Sequence, residues 1–267
     1  MEREKFLELS QKYNIVPVYE RIAADLLTPV SAYLKIRNKN YFTFLLESVE
    51  GIGRLARYSF IGLNPSEIIS NNYNEITIKN SAATEKIYGN IFDFLKNKIN
   101  NFSYPKIDEL PYFSGGLVGF IGFDNISLIE DSILYNSKSG DIAPDSILGL
   151  YNTLIVFDHF KHQIILIQNV DCFDKINIKE KYEQAILELQ KLKSILNNNI
   201  EFKSDFKANP KQLSNYEEEE FCELVRLSKK NIYNGDVFQI VLSKRFEAEY
   251  HGDPFNVYRA LRMINPS

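Results

Sequence analysis

Residues 199–213, NIEFKSDFKANPKQL, carry no hydrophobic period, and they divide the chain into two stretches that do. Before them, Tyr182, Ile186, Leu189, Leu192 and Leu196 recur every three or four residues, which predicts a long amphipathic helix over 178–198. After them the pattern restarts. Ser214 and Glu217 have capping-box spacing ahead of an apolar face at Phe221, Leu224, Val225 and Ile232, and Gly235 follows as a helix terminator. The aperiodic stretch is therefore the predicted boundary, giving domains at 1–198 and 214–267 with 199–213 as linker. A length of 267 residues suits one and a half to two domains.

Phe6, Leu9 and Tyr13 predict an opening helix, and Val16 to Ile22 a strand. Thr28 before Pro29 reads as an N-cap with proline at the first helical position, starting a short helix through Leu34. Strand-like runs follow at Tyr41 to Glu47, Arg54 to Ile61, Glu67 to Ile69 and Glu75 to Lys79, the last two joined by the turn Ser70 to Asn74. Ile87, Ile91, Phe94 and Leu95 give a helical face, Asp141 to Ser146 is turn-like, and Tyr151 to Asp158 and Gln163 to Val170 form a second strand pair. Beyond the boundary, Val237 to Glu247 reads as a strand, and Asp253-Pro254 starts a helix running to Ile264. The predicted class is α+β: a mixed or antiparallel sheet sandwich with flanking helices, then the beginning of a second domain. Roughly fifty residues of helix, strand and helix need a sheet to pack on, so that domain is expected to be incomplete.

A hydrophobic fraction of 45% supports a sizeable core, with 16 Tyr and 19 Phe replacing the absent Trp. Net charge is −4 and the basic residues are interspersed, which argues against nucleic-acid and anionic-membrane surfaces. Cys172 and Cys222 stand fifty residues apart with no CxxC, so reduced thiols are expected. No signal segment or membrane-length apolar run is visible, and a soluble, cytoplasmic protein is expected.

Four strings carry chemistry or mimic it. Leu45-Leu46-Glu47-Ser48, then a loop with Gly51 and Gly53, then Arg57-Tyr58-Ser59-Phe60-Ile61-Gly62 could bind an amino-acid zwitterion. Glu47 would accept from an ammonium, and Ser48 or Arg57 would donate to a carboxylate. The alternative is a half-buried strand ending in a solvated turn. Gly115, Gly116, Gly119 and Gly122 match neither phosphate-binding fingerprint, and such glycines more often allow close backbone approach. In Gly235 to Phe246, alternation separates Gln239, Val241, Ser243 and Arg245 from Phe238, Ile240, Leu242 and Phe246, as in an ordinary sheet strand. Ala260-Leu261-Arg262 leads to Asn265-Pro266-Ser267 at the C-terminus. His159, His162 and His251 lie in no nucleophile or metal motif and are taken as solvated or core residues.

In this order the four strings resemble anthranilate synthase component I, a family of chorismate-using enzymes. LLES with RYSFIG looks like its tryptophan-feedback signature, GGLVGFIGFD is similar to a scaffold segment, GDVFQIVLSKRF to the entry of the chorismate-binding domain, and the C-terminal string to an NPSPY motif lining the same pocket. Lys244 stands where the family commonly has Gln or Arg. The resemblance implies an effector site at Glu47, Ser48, Arg57, Asn265, Pro266 and Ser267. It further implies conversion of chorismate and ammonia to anthranilate and pyruvate, Mg2+ as cofactor, a glutamine amidotransferase subunit as partner, and L-tryptophan as regulator. The family's metal ligands and catalytic residues have no matching position here, so no catalytic residue is named and the chain alone is expected to be inactive. Para-aminobenzoate synthase component I, and a short non-catalytic amino-acid- or partner-binding product, stay open as alternatives.

Overall fold

The computed structural model of the chain describes residues 1–37, 42–47, 57–135, 143–199, 205–209 and 213–265. They fall into two compact units, 1–200 and 201–267.

The first unit runs α1 (Arg3–Lys12), β1 (Ile15–Ala23), α2 (Pro29–Ile36), β2 (Phe44–Leu46), β3 (Tyr58–Leu63), β4 (Glu67–Asn72), β5 (Glu75–Asn80), β6 (Thr84–Tyr88) and α3 (Ile91–Asn100). It continues through β7 (Gly116–Ile121), a 3-10 helix (Phe123–Leu128), β8 (Ser146–Tyr151), β9 (Thr153–Asp158), β10 (Gln163–Asp171) and α4 (Ile178–Asn197). Every ladder is antiparallel. One sheet has the order β1-β10-β9-β3-β2 and the other β6-β5-β4-β8-β7.

The period-two pattern sorts the first sheet into two faces. The row Leu45, Ile61, Ile155 and Leu166 looks toward the helices, where it joins Phe6 of α1, Ala32 of α2 and Tyr182, Leu189 and Leu196 of α4. The row Phe44, Gly62, Leu154, Ile167 and Tyr19 looks the other way. There Leu154, Val156, Ile165 and Ile167 pack with Tyr151 and Val118 of the second sheet and with Leu110 and Phe113. The second sheet covers its far side with α3 through Ile69, Ile76, Ile91, Leu95 and Leu148. Each fully buried aliphatic side chain of this kind stabilises by roughly 1.5–3 kcal/mol.

Local signals hold where they set an element's end. Thr28 Oγ1 accepts from Ser31 N at 3.1 Å and Ser31 Oγ from Thr28 N at 2.9 Å, so the expected cap closes reciprocally. The β4–β5 turn is tighter than predicted: the strands run through Asn72 and from Glu75, leaving Tyr73 at φ 51°. Two strands fall where the sequence suggested a helical face and a turn. Ile87 belongs to β6, pairing with Ile76, and the helix begins only after Asn90, whose Oδ1 accepts from Phe92 N at 2.9 Å. Ile87 and Ile91 reach the same cluster from different elements, which mimics a helical face. Ser146 starts β8 rather than ending a turn, because Ile147 to Leu150 find partners in both β4 and β7.

The second unit contains β11 (Lys207–Ala208), β12 (Leu213–Ser214), α5 (Glu218–Asn234), β13 (Phe246–Glu247), β14 (Tyr250–His251) and α6 (Phe255–Ile264). Residues 207–208 and 213, within the expected linker, pair as strands: β11 with β14 and β12 with β13. Two expectations are corrected here. The N-cap of α5 is Glu217, whose N–H donates to Glu220 Oε2 at 3.0 Å, while Ser214 Oγ bonds Tyr216 instead. The strand expected over Val237 to Glu247 shrinks to Phe246–Glu247, because its remainder meets no pairing strand among the described residues and a strand without a ladder gains nothing. Gly235 at φ 81° ends α5 as expected, and Asp253 Oδ1 accepts from Phe255 N at 3.1 Å at the start of α6. No described residue of this unit is buried.

Candidate functional site

Glu47 directly follows β2, whose Leu46 pairs with Phe60, and Arg57 directly precedes β3. The two expected effector residues therefore flank segment 48–56, which, with Ser48, lies outside the described residues. Glu47 is half-buried. Asn265 belongs to the second unit, where its N–H donates to Leu261 O at 2.8 Å and closes α6. Pro266 and Ser267 lie outside the described residues.

Arg57 is held in place by the β9–β10 turn. Its Nε donates to Asp158 Oδ1 at 3.0 Å and its Nη2 to Oδ2 at 2.6 Å, a two-pronged pair with matched planar geometry. The Asp158 side chain is only 1% exposed, and Oδ1 also accepts from the N–H groups of Phe160 (3.2 Å) and Lys161 (3.1 Å). Burial by itself would push the Asp158 carboxyl upward. The Arg57 hydrogen bond, the two turn N–H groups and the Arg57 charge outweigh it and hold the carboxyl below its ordinary range. The guanidinium lies 4.7 Å from the Tyr58 ring centre and 5.7 Å from that of Phe160. The main chain is tied to the same turn: Arg57 O accepts from His159 N at 2.9 Å. Buried Ser59 completes the attachment with a 2.8 Å hydrogen bond to His159 Nε2.

Asp158, Ser59 and His159 were not singled out from sequence as partners of Arg57. The one local signal was an aspartate opening a turn, the arrangement in which a carboxylate accepts from N–H groups two and three residues on. His159 pairs with a serine, but that serine is sealed in a sheet and lines no cleft, so the pair is structural.

The other strings resolve without ligands. β7 is an edge strand, and Gly119 is required there because a Cβ would come 1.9 Å from Ile147 O. That is the close backbone approach expected of the glycine run. Along 237–245, Lys244 Nζ sits 5.8 Å from the Phe221 ring centre and 5.4 Å from that of Phe246. Among the described residues, no group of three or more His, Cys, Asp or Glu could hold a metal ion. None of the described helices is long and apolar enough to cross a membrane.

The profile of the chorismate binding enzyme family matches residues 43–267. Anthranilate synthase component 1 from a Synechocystis species is 35% identical over 98% of this chain and 54% of its own length. The protein of the same name from Acetivibrio thermocellus is 34% identical over 97% of the chain and 53% of its own. Among solved structures, anthranilate synthase component I from Streptococcus pneumoniae matches with a TM-score of 0.60 and 29% identity, covering 93% of this chain and 53% of that one. The chain thus spans about half the length of the curated relatives it matches.

Proposed function

The chain belongs to the chorismate binding enzyme family, and from that premise we propose that it serves anthranilate synthesis as part of a component I subunit. The reaction adds ammonia to the chorismate ring with loss of the ring hydroxyl as water, and releases pyruvate and anthranilate, which supplies tryptophan. The supporting observation is that relatives named for this activity align along nearly the whole chain. A glutamine amidotransferase subunit is the proposed ammonia source, and the cytoplasm the proposed location. No step through Mg2+ is derived for this chain, because its described residues offer no ligand cluster for one.

Its own proposed contribution is regulatory. A tryptophan zwitterion needs an acceptor for its ammonium and donors for its carboxylate. Glu47 and Arg57 stand at the two ends of segment 48–56 with those charges, and Ser48 offers a hydroxyl between them. Asn265, Pro266 and Ser267 complete the proposed set.

Calorimetry with L-tryptophan tests the site in a version extended to the relatives' full length. Ser48→Ala removes one hydrogen bond to a charged ligand group and is expected to weaken binding about 10- to 100-fold. An unchanged affinity would refute the assignment. For the reaction, the extended protein with chorismate and ammonium should release anthranilate and pyruvate in equal amounts, while the 267-residue chain alone should yield none. Accumulation of an aminated chorismate without pyruvate would identify the para-aminobenzoate branch instead.

A further inference from the structure

We infer that Asp158 is a positioning residue for the tryptophan site: it orients the Arg57 guanidinium so that the remaining edge can receive the effector's carboxylate. This rests on the effector reading above and adds a residue to it from a different strand.

A guanidinium has five N–H groups in a fixed plane. Asp158 engages the Nε–Nη2 edge at 3.0 and 2.6 Å, and Nη1 donates to no described residue. An arginine on a free side chain would sample many rotamers, and ordering it on binding would cost affinity. Here that ordering is done in advance. The Tyr58 and Phe160 rings flank the plane, and the Asp158 carboxylate is itself fixed by the N–H groups of Phe160 and Lys161. With a side-chain exposure of 32%, Arg57 still reaches solvent, whereas the Asp158 side chain is 1% exposed.

The main chain is anchored with it. Residue 57 is the first after segment 48–56, and its carbonyl accepts from His159 N at 2.9 Å. The turn that orients the side chain therefore also fixes the chain where that segment enters β3.

The test compares L-tryptophan with tryptamine, which lacks the carboxylate, and indole-3-propionate, which lacks the ammonium, on the full-length extended protein. In Asp158→Asn the side chain keeps its shape but loses its charge. L-tryptophan and indole-3-propionate should each bind about 10-fold more weakly, the loss of roughly one charge-assisted hydrogen bond. Tryptamine should be unchanged. Equal weakening of all three ligands would mean that Asp158 only supports the fold, and the inference would fail. So would no change in any of them while Arg57→Gln weakens tryptophan, although the effector site would then stand. If Arg57→Gln leaves tryptophan affinity intact, Arg57 is not in the site, and the inference falls together with that part of the reading. Asp158→Glu, which keeps the charge, should recover part of the loss for the two carboxylate ligands.

Discussion

The Phe44 ring packs against Gly62, its register partner on β3, so that a Cβ at residue 62 would come 2.1 Å from Phe44 Cε1. The same ring meets Tyr151 edge-on with centroids 4.7 Å apart, which places it where the first sheet faces the second. Gly62→Ala must push Phe44 aside and disturb that contact. Because the obstacle is a side chain that can rotate, destabilisation of about 1–3 kcal/mol is expected in urea unfolding. Loss of less than about 0.5 kcal/mol would mean that the ring is not held over the glycine.

Gly119→Ala should be worse than Gly62→Ala. Its Cβ would come 1.9 Å from Ile147 O and 2.7 Å from Leu148 Cα, and backbone in the middle of a ladder cannot rotate away. Pairing between β7 and β8 should break locally. Paired unfolding measurements should rank the two variants in this order, and the reverse order would contradict the backbone geometry.

Asn125 ties three parts of the second sheet together. Its Oδ1 accepts from Asn71 Nδ2 at 2.8 Å, and its Nδ2 lies 3.0 Å from Asp145 O and from Ser146 Oγ. Asn125 and Asn71 are both buried, and Asn71 Nδ2 keeps only Tyr73 O, at 2.9 Å, as acceptor in Asn125→Ala, so one of its N–H groups is left unpaired in a place water does not freely reach. A cost of about 2–3 kcal/mol is expected. Thermal unfolding indistinguishable from the parent would show that solvent replaces the amide.

The Arg57–Asp158 pair should appear in acid titration. The folded carboxyl sits below its ordinary value of 3.8, so the stability it contributes is fully present above that pH and is lost as pH falls through the folded value. At pH 7 Asp158→Asn should lie about 1.5–3 kcal/mol below the parent. That gap should close below about pH 3.8. A gap that stays constant down to pH 2 would show that it does not come from the carboxylate charge.

Hydrogen exchange should separate the two units. Amides of β9 and β10 lie under fully buried side chains such as Leu154, Ile155, Leu166 and Ile167, whereas Phe238 is 94% exposed and Met263 85% exposed. Residues 213–265 should exchange through openings that leave 153–171 protected. Equal protection in both would refute this.

Sequence reading succeeded where a single strong local cause set the outcome. Thr28 with Pro29, Gly235, the stripe from Tyr182 to Leu196 and the alternation through β9 and β10 each fix their own element. It failed where the outcome depended on a partner far along the chain. Ser146, the first residue of β8, reads as the end of a turn until β4 and β7 are beside it, and Ile87 reads as helix until Ile76 pairs with it. Val237 to Arg245 fails the other way, with good alternation and no ladder to join among the described residues. The site divides similarly. Glu47 and Arg57 follow from a motif, whereas Asp158 becomes a partner of Arg57 only when two strands a hundred residues apart align at Tyr58 and Asp158.

The pairing of β1 with β10 has a consequence for how the chain is made. Ala23 waits for Gln163, roughly 140 positions later, and β1 has no other ladder partner among the described residues. At a ribosomal pace of about 5–20 residues per second, Val16 and Val18 are synthesised roughly 7–30 s before the strand that will cover them. During that interval the nascent chain carries an unpaired, hydrophobic β segment at its leading end. Crowded polysomes would bring many such ends together, so the yield of folded protein should depend on whatever keeps this first strand solitary until the last strand of its sheet emerges.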